Sequence, residues 1–280
     1  MSKGQGTPYE ELTFASNFLF CKILSANKEL CKELIRIITG RVVKEITPPR
    51  TEATLKETIG GKGIRLDVIF ADDEKTVYDI EMQTTSNENL AKRTRYYQGL
   101  LDTSLMDQGT DYIKLPQSLI VFICTFKLFE ANRHVYTFEN RCLEDSSIAL
   151  EDGMRKVFLS TEGTADDVTV EMKQFLDFVA GRSVDGKLAE SLQEEVHRAH
   201  QNEEWRREFM QNMAYLMDYA RDAVAEAEAK GREEGLRWMY RAVEDGDMSA
   251  EKASRIIGIT VEEFKNNMIL TGHKFPKTLP

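Results

Sequence analysis

Cysteine, histidine and long apolar runs are all scarce in this chain, and each scarcity removes a class of function. The four cysteines, Cys21, Cys31, Cys124 and Cys142, show none of the paired spacing of a zinc site and read as reduced structural residues. The histidines His197, His200 and His273 lie far along the chain from His134, which excludes Ser-His-Asp and most zinc-hydrolase arrangements. His134 itself reads as a surface or strand-end residue. No apolar run approaches the roughly 18 residues that span a bilayer. The opening MSKGQGTPYEEL contains no apolar segment of signal-peptide length, so a cytoplasmic location without a membrane partner is the expectation. Positive charge is also in deficit, with 37 Lys and Arg against 47 Asp and Glu and a formal net charge of −10. Indiscriminate binding to a polyanion is therefore disfavoured, and a nucleic-acid site would have to gather its basic residues locally.

What the chain does contain is a hairpin signal at IRLDVIFADDEKTVYDIEMQ, residues 64 to 83. Ile64 to Phe70 is rich in β-branched and apolar residues, Ala71 to Lys75 is a polar turn cluster, and Thr76 to Gln83 alternates. Side chains alternate across a strand, so Tyr78, Ile80 and Met82 share one face while Asp79, Glu81 and Gln83 share the other. Pairing Phe70 with Thr76 sets Val68 against Tyr78 and Asp67 against Asp79, which puts Asp67 on the side of Glu81 and Gln83. Three carboxylates crowded on a partly buried surface repel one another unless a cation sits among them. Hard oxygen ligands of this kind suit Mg2+ or Mn2+; a solvated acidic strand face is the other reading of the same residues.

An Asp on one strand followed by Glu-x-Gln on the next is similar to the PD-(D/E)XK nuclease core. Asp67 matches its first acid, Glu81 its second, and Gln83 stands where a Lys is usual. The wider wording strengthens the likeness: ASNFLFCKIL at 15 to 24, RLDVIFAD at 65 to 72, YDIEMQ at 78 to 83, KRTRYYQGLLD at 92 to 102 and PQSLIVFICTFKLF at 116 to 129. Together these phrases resemble the Rpn family of recombination-promoting nucleases, also described as PD-(D/E)XK transposase-like proteins. The resemblance implies a restriction-endonuclease-like α/β core, a mixed central sheet flanked by helices, with a helical C-terminal extension. It implies Mg2+ or Mn2+ held by Asp67, Glu81 and the backbone carbonyl of Met82, with Asp67, Glu81 and Gln83 as the catalytic set and DNA as substrate, in recombination or mobile-element activity. Where the family often has an Asp near the start of the first helix, this chain has Asn17, a further site residue that cannot supply negative charge.

Elsewhere the pattern assigns two helices between Glu11 and Thr39, interrupted at Ser25-Ala26-Asn27 and stopped at Gly40. A strand and an exposed loop run from Arg41 to Lys62, with Lys56 and Lys62 as candidate nucleic-acid contacts. Asn87 to Gln108 forms an amphipathic helix whose Lys92, Arg93, Arg95 and Tyr96 interleave basic and aromatic groups, as a phosphate-tracking wall would. Tyr97, Leu100, Leu101 and Leu105 lie at core spacing on the same helix. Leu119 to Phe129 reads as a central strand buried on both faces, VYTFEN and Lys156 to Ser160 as further strands, and Val168 to Val179 as a helix.

The domains drawn from this pattern are a nuclease-like domain at 1–181 and a helical extension at 182–280. The extension carries a narrow apolar stripe, Leu192, Val196, Trp205, Phe209, Met213, Leu216 and Tyr219, suited to packing on one side or to a homo-oligomer. It ends in two short helices around Gly258, opened by Thr260-x-x-Glu263. This hairpin has helix-turn-helix spacing, but Val261-Glu262-Glu263 at the start of its second helix is ill suited to phosphates, which favours protein contact. Two functions stay open: a metal-dependent endonuclease hydrolysing phosphodiester bonds, and a catalytically weak or inactive DNA-binding or regulatory protein that keeps the fold.

Overall fold

A computed structural model describes residues 7–55, 64–86 and 89–276; Lys56 and Lys62 lie outside the described residues. Two helices come first, α1 (Asn17–Ala26) and α2 (Lys28–Thr39). Asn27 separates them because its side chain accepts from Leu30 N at 3.2 Å and so starts a new helix. Gly40 ends α2 with φ of 73°, its N–H bonded to Arg36 O.

Six strands form one sheet: β1 (Arg50–Leu55), β2 (Ile64–Ala71), β3 (Val77–Gln83), β4 (Ser118–Cys124), β5 (Val135–Phe138) and β6 (Met154–Ser160), in the order β1-β2-β3-β4-β6-β5. The first three are antiparallel neighbours, β3, β4 and β6 run parallel, and β5 closes the far edge antiparallel to β6. Parallel strands need a crossover, and α3 (Leu90–Leu105) lies in the connection from β3 to β4. Every residue of β4 is buried, as the unbroken apolar run requires of a strand covered on both faces.

Alternation divides the core in two. Val68, Phe70, Tyr78, Ile80, Leu119, Val121, Ile123 and Leu159 pack with α1, α2, α4 (Val170–Val179) and α5 (Lys187–His200). On the other side Val77, Ile120, Phe122 and Phe158 pack with Tyr97, Leu100 and Leu101 of α3. The chain divides into two compact units, Met1–Phe209 and Met210–Pro280. The sequence boundary at 181 thus falls inside the first unit. The reason is α5, whose Leu188, Leu192, Val196 and Ala199 are buried in the main core, with Tyr9 donating its hydroxyl to Ala199 O at 2.6 Å.

A single helix, α6 (Glu203–Glu244), begins in the first unit and continues into the second. In the second, Tyr240 and Val243 pack with Ala250 and Ala253 of α7 (Ala250–Ile257) and Phe264 and Met268 of α8 (Val261–Leu270). Ser249 and Thr260 cap the two short helices by accepting from Lys252 N and Glu263 N.

Two further expectations change. Ala71 pairs with Val77, Phe70 with Tyr78 and Val68 with Ile80, a register two residues away from the one read from sequence. The turn sets it: Asp72 accepts from Glu74 N at 3.0 Å, Thr76 N at 2.8 Å and Tyr78 OH at 2.8 Å, and Lys75 takes φ of 66°. An even shift keeps every side chain on its face but changes its neighbour across the strands. Asp67 therefore faces Glu81 rather than Asp79. His134 precedes β5 as a strand-end residue, yet it is buried, because Asp167 accepts from both its backbone N and its ring Nδ1.

Candidate active site

Asp67 and Glu81 meet where β2 and β3 adjoin, and their side chains replace the backbone ladder there. Glu81 Oε1 accepts from Asp67 N at 2.9 Å, and Asp67 Oδ2 accepts from Met82 N at 3.0 Å. Each carboxylate is thus fixed by the other strand's backbone. The remaining oxygens are also held: Asn17 Nδ2 donates to Asp67 Oδ1 at 2.7 Å, and Arg93 Nη2 to Glu81 Oε2 at 3.1 Å. Asn17 opens α1, so the first helix reaches the site through an amide that donates to the acid.

Arg93 closes the other side. Its Nη1 donates to Gln83 Oε1 at 2.8 Å and its Nε to Tyr97 OH at 2.8 Å, while the guanidinium lies over the rings of Tyr97 and Phe122, 5.0 and 5.5 Å from their centroids. Gln83 in turn donates to Thr85 O at 2.7 Å. The positive charge usual at position 83 of such a motif thus arrives from α3, one helical turn before Tyr97.

The charge balance is poor. Asp67, Asp79 and Glu81 are all buried, and neither oxygen of Asp79 has a hydrogen-bond partner among the described residues when it is counted as a carboxylate. Burial pushes the Asp79 carboxyl far above the usual range, helped by the charges of Glu81 and Asp67 and by hydrogen bonding with Glu81. Burial, then the charge of Asp67, raises Glu81 to about 7 against the pull of Asp67 N–H, Arg93 and Asp79. Asp67 is raised by burial and moderated by Met82 N–H, Asn17, Arg93 and Arg65.

Among the described residues no three Asp, Glu, His or Cys side chains converge as a metal cluster. What the structure does bring together is a pair of carboxylates, Asp67 and Glu81, each bonded to the other strand's backbone, and carboxylate oxygens are the donors a hard divalent cation takes. Every carboxylate oxygen of this pair accepts one hydrogen bond and keeps a second lone pair. Asp79, buried with no donor, marks the cluster as short of positive charge, which a divalent ion would correct.

The structure brings Asn17, Asp67, Glu81, Gln83 and Arg93 together. It does not bring Lys92, Arg95 and Tyr96 to them: these lie on the exposed side of α3. Sequence reasoning counted Asp79 among the crowded acids without giving it a part, and it missed the aromatic shelf under Arg93. The i,i+4 spacing of Arg93 and Tyr97, with Tyr97 on the core stripe, was the available signal.

Among the described residues no helix is long and apolar enough to cross a membrane. Neither a curated protein nor a solved structure matches the chain. The sequence model of the PD-(D/E)XK nuclease family transposases matches residues 15–221, a span that contains the whole site together with α5 and the start of α6. With an acid on each of two adjoining strands and Glu-x-Gln on the second, this chain belongs to the PD-(D/E)XK nuclease family transposases.

Proposed function

We propose that this protein is a divalent-cation-dependent DNA endonuclease that acts in recombination or mobile-element movement. The observation that carries the reading is the interlocked Asp67–Glu81 pair, with Arg93 set on Glu81 and Gln83. Asp67, Glu81 and the Met82 carbonyl would hold Mg2+ or Mn2+, which when bound would supply Lewis-acid polarisation of the scissile phosphate and a lowered water pKa. Asn17 and Met82 N–H hold the Asp67 carboxylate in one orientation, and Asp67 N–H does the same for Glu81. Gln83 orients the attacking water or a phosphate oxygen through its amide. Arg93 offers the guanidinium N–H groups not already engaged to the phosphate oxygens, where negative charge grows as the water oxygen bonds to phosphorus and the sugar oxygen leaves. Lys92, Arg95 and Tyr96, on the outer side of α3, contact the DNA backbone away from the reacting phosphate. A second copy of the chain, met through the C-terminal helices, is the proposed protein partner.

Plasmid nicking with Mg2+ or Mn2+ tests this. The wild-type chain should nick, while Asp67→Ala and Glu81→Ala should lose cleavage and keep a folded circular-dichroism spectrum. Cleavage that survives in both variants refutes the assignment. The competing reading, a catalytically weak or inactive DNA-binding regulator, draws on Asn17, which stands as a donor where an acid would add charge. DNA retention in a gel shift, with no cleavage under any divalent cation, would favour it.

A further inference from the structure

His134, the loop before α4 and the first turn of α4 line a cavity of about 370 Å3 in the first unit. His134 is 2% exposed, and its ring Nε2 has no hydrogen-bond partner among the described residues. The rest of the residue is fixed. Asp167 accepts from its backbone N at 3.2 Å and from its Nδ1 at 3.0 Å, and Gly163 lies so close that a Cβ there would come within 2.6 Å of the His134 Cγ and N. Against the cost of burial, the hydrogen bonds from His134 and the charge of Arg133 hold the Asp167 carboxyl below its usual range. Nδ1 therefore carries its proton toward an ionised acid, and Nε2 is the polar atom that the ring has left to offer the cavity.

The start of α4 adds donors. The first N–H groups of a helix have no partner within it; Thr169 Oγ1 accepts from Met172 N at 3.2 Å, which leaves those of Val170 and Glu171 without an intrahelical partner. The helix dipole makes this end positive. Lys173, one turn along, ion-pairs with Asp177 and keeps further N–H groups to give. Asp166, the acid on the lining, is exposed to water.

We propose that this cavity binds a phosphate-class anion, held by His134 Nε2–H, the Val170 N–H and Lys173 Nζ. An anion beside the ring favours its second proton, as the ionised Asp167 does from the other side, and turns Nε2 from an unpaired acceptor into a charge-assisted donor. The cavity lies at the end of the sheet that carries Gln83. Gln83 pairs with Cys124 and Cys124 with Ser160, whose N–H donates to His134 O at 2.8 Å. Three strand spacings of about 4.8 Å put His134 roughly 14 Å from Gln83. Two sources fit this chemistry: a backbone phosphate of DNA, which rests on the nuclease reading, and free phosphate, which does not.

Calorimetry of the full-length chain with inorganic phosphate in EDTA tests the site, and chloride at equal ionic strength should not reproduce the binding. Val170→Pro removes one donor at the first helical position, where proline is favoured, and Thr169 already has the ψ of 159° that suits a residue before proline. It should keep the wild-type melt and lose about tenfold or more in phosphate affinity, the worth of one charge-assisted bond. His134→Gln should weaken binding as well. No saturable phosphate binding by the wild type overturns the proposal, and so does unchanged affinity in Val170→Pro. A short DNA that displaces phosphate from the wild type identifies the backbone phosphate as the ligand, while one that leaves phosphate binding unchanged identifies free phosphate. Because no readout involves cleavage, failure of the site and failure of the nuclease reading are distinguishable.

Discussion

Arg93 lies 3.1 Å from the buried Glu81 carboxylate and 2.8 Å from the Gln83 amide oxygen, so its removal leaves Glu81 buried without its cationic partner. Stranding one partner of a buried ion pair costs about 3–5 kcal/mol. Arg93→Ala should lose stability on that scale in urea unfolding with EDTA present, and should lose cleavage as well. Arg93→Lys should lose less stability but still cleave poorly, because an ammonium cannot contact Gln83, Glu81 and Tyr97 from one planar fork. Equal stability in all three proteins would contradict the contacts described.

The same acids make the cation-free protein sensitive to pH. Glu81 titrates near 4.5 when unfolded and at about 7 when folded, so the folded chain binds the extra proton between those values. Stability from this group is fully present below about 4.5 and is lost as pH rises through 7. Asp79, pushed well above the usual carboxylate range by burial, acts in the same direction. In EDTA the melting temperature should therefore be lower at pH 8 than at pH 5. Asp79→Asn should recover part of the difference, and so should Mg2+ added at pH 8. A melt unchanged across that range would rule out the raised carboxyls.

Among the elements, the β2–β3 hairpin depends most on one side chain. Asp72 accepts three hydrogen bonds in the turn, each worth about 1 kcal/mol net, more where a donor is left buried. Asp72→Ala should cost about 2–3 kcal/mol and should also reduce cleavage, since the turn sets the register that puts Asp67 opposite Glu81. The strands were legible from alternation, but the register was not: neither face pattern nor turn length distinguishes two pairings that differ by an even step. α3 divides along its length as well as around it. Arg93 and Tyr97 turn inward, Lys92, Arg95 and Tyr96 outward. Lys92→Ala with Arg95→Ala should weaken DNA binding and make the slope of log affinity against log salt shallower by about 0.9 for each phosphate no longer neutralised. The cleavage rate at saturating DNA should change little.

At the scale of the molecule, the placement of α5 decides where the chain can be cut. Truncation after Gly181 removes Leu188, Leu192, Val196 and Ala199 from the main core, together with the Tyr9–Ala199 hydrogen bond. Large-to-small changes at single buried leucines already cost about 2–5 kcal/mol, so a chain ending there should not fold. One ending after Phe209 should melt cooperatively; equally cooperative melts from both would remove α5 from the core. The charged composition of Lys187 to His200 hid this, because its stripe of small and medium apolar residues reads equally well as the seam of a free helix.

The sequence by itself determined the class of fold, the acidic hairpin, the buried central strand and the family, since alternation, an unbroken apolar run and five ordered phrases are local properties of the chain. Only the tertiary structure decided which carboxylate faces which, that the positive charge arrives from α3 and not from residue 83, and that α5 belongs to the core. Those outcomes depend on a turn geometry, a helix placed across a sheet and the burial of one amphipathic face, none of which is carried by neighbours in sequence.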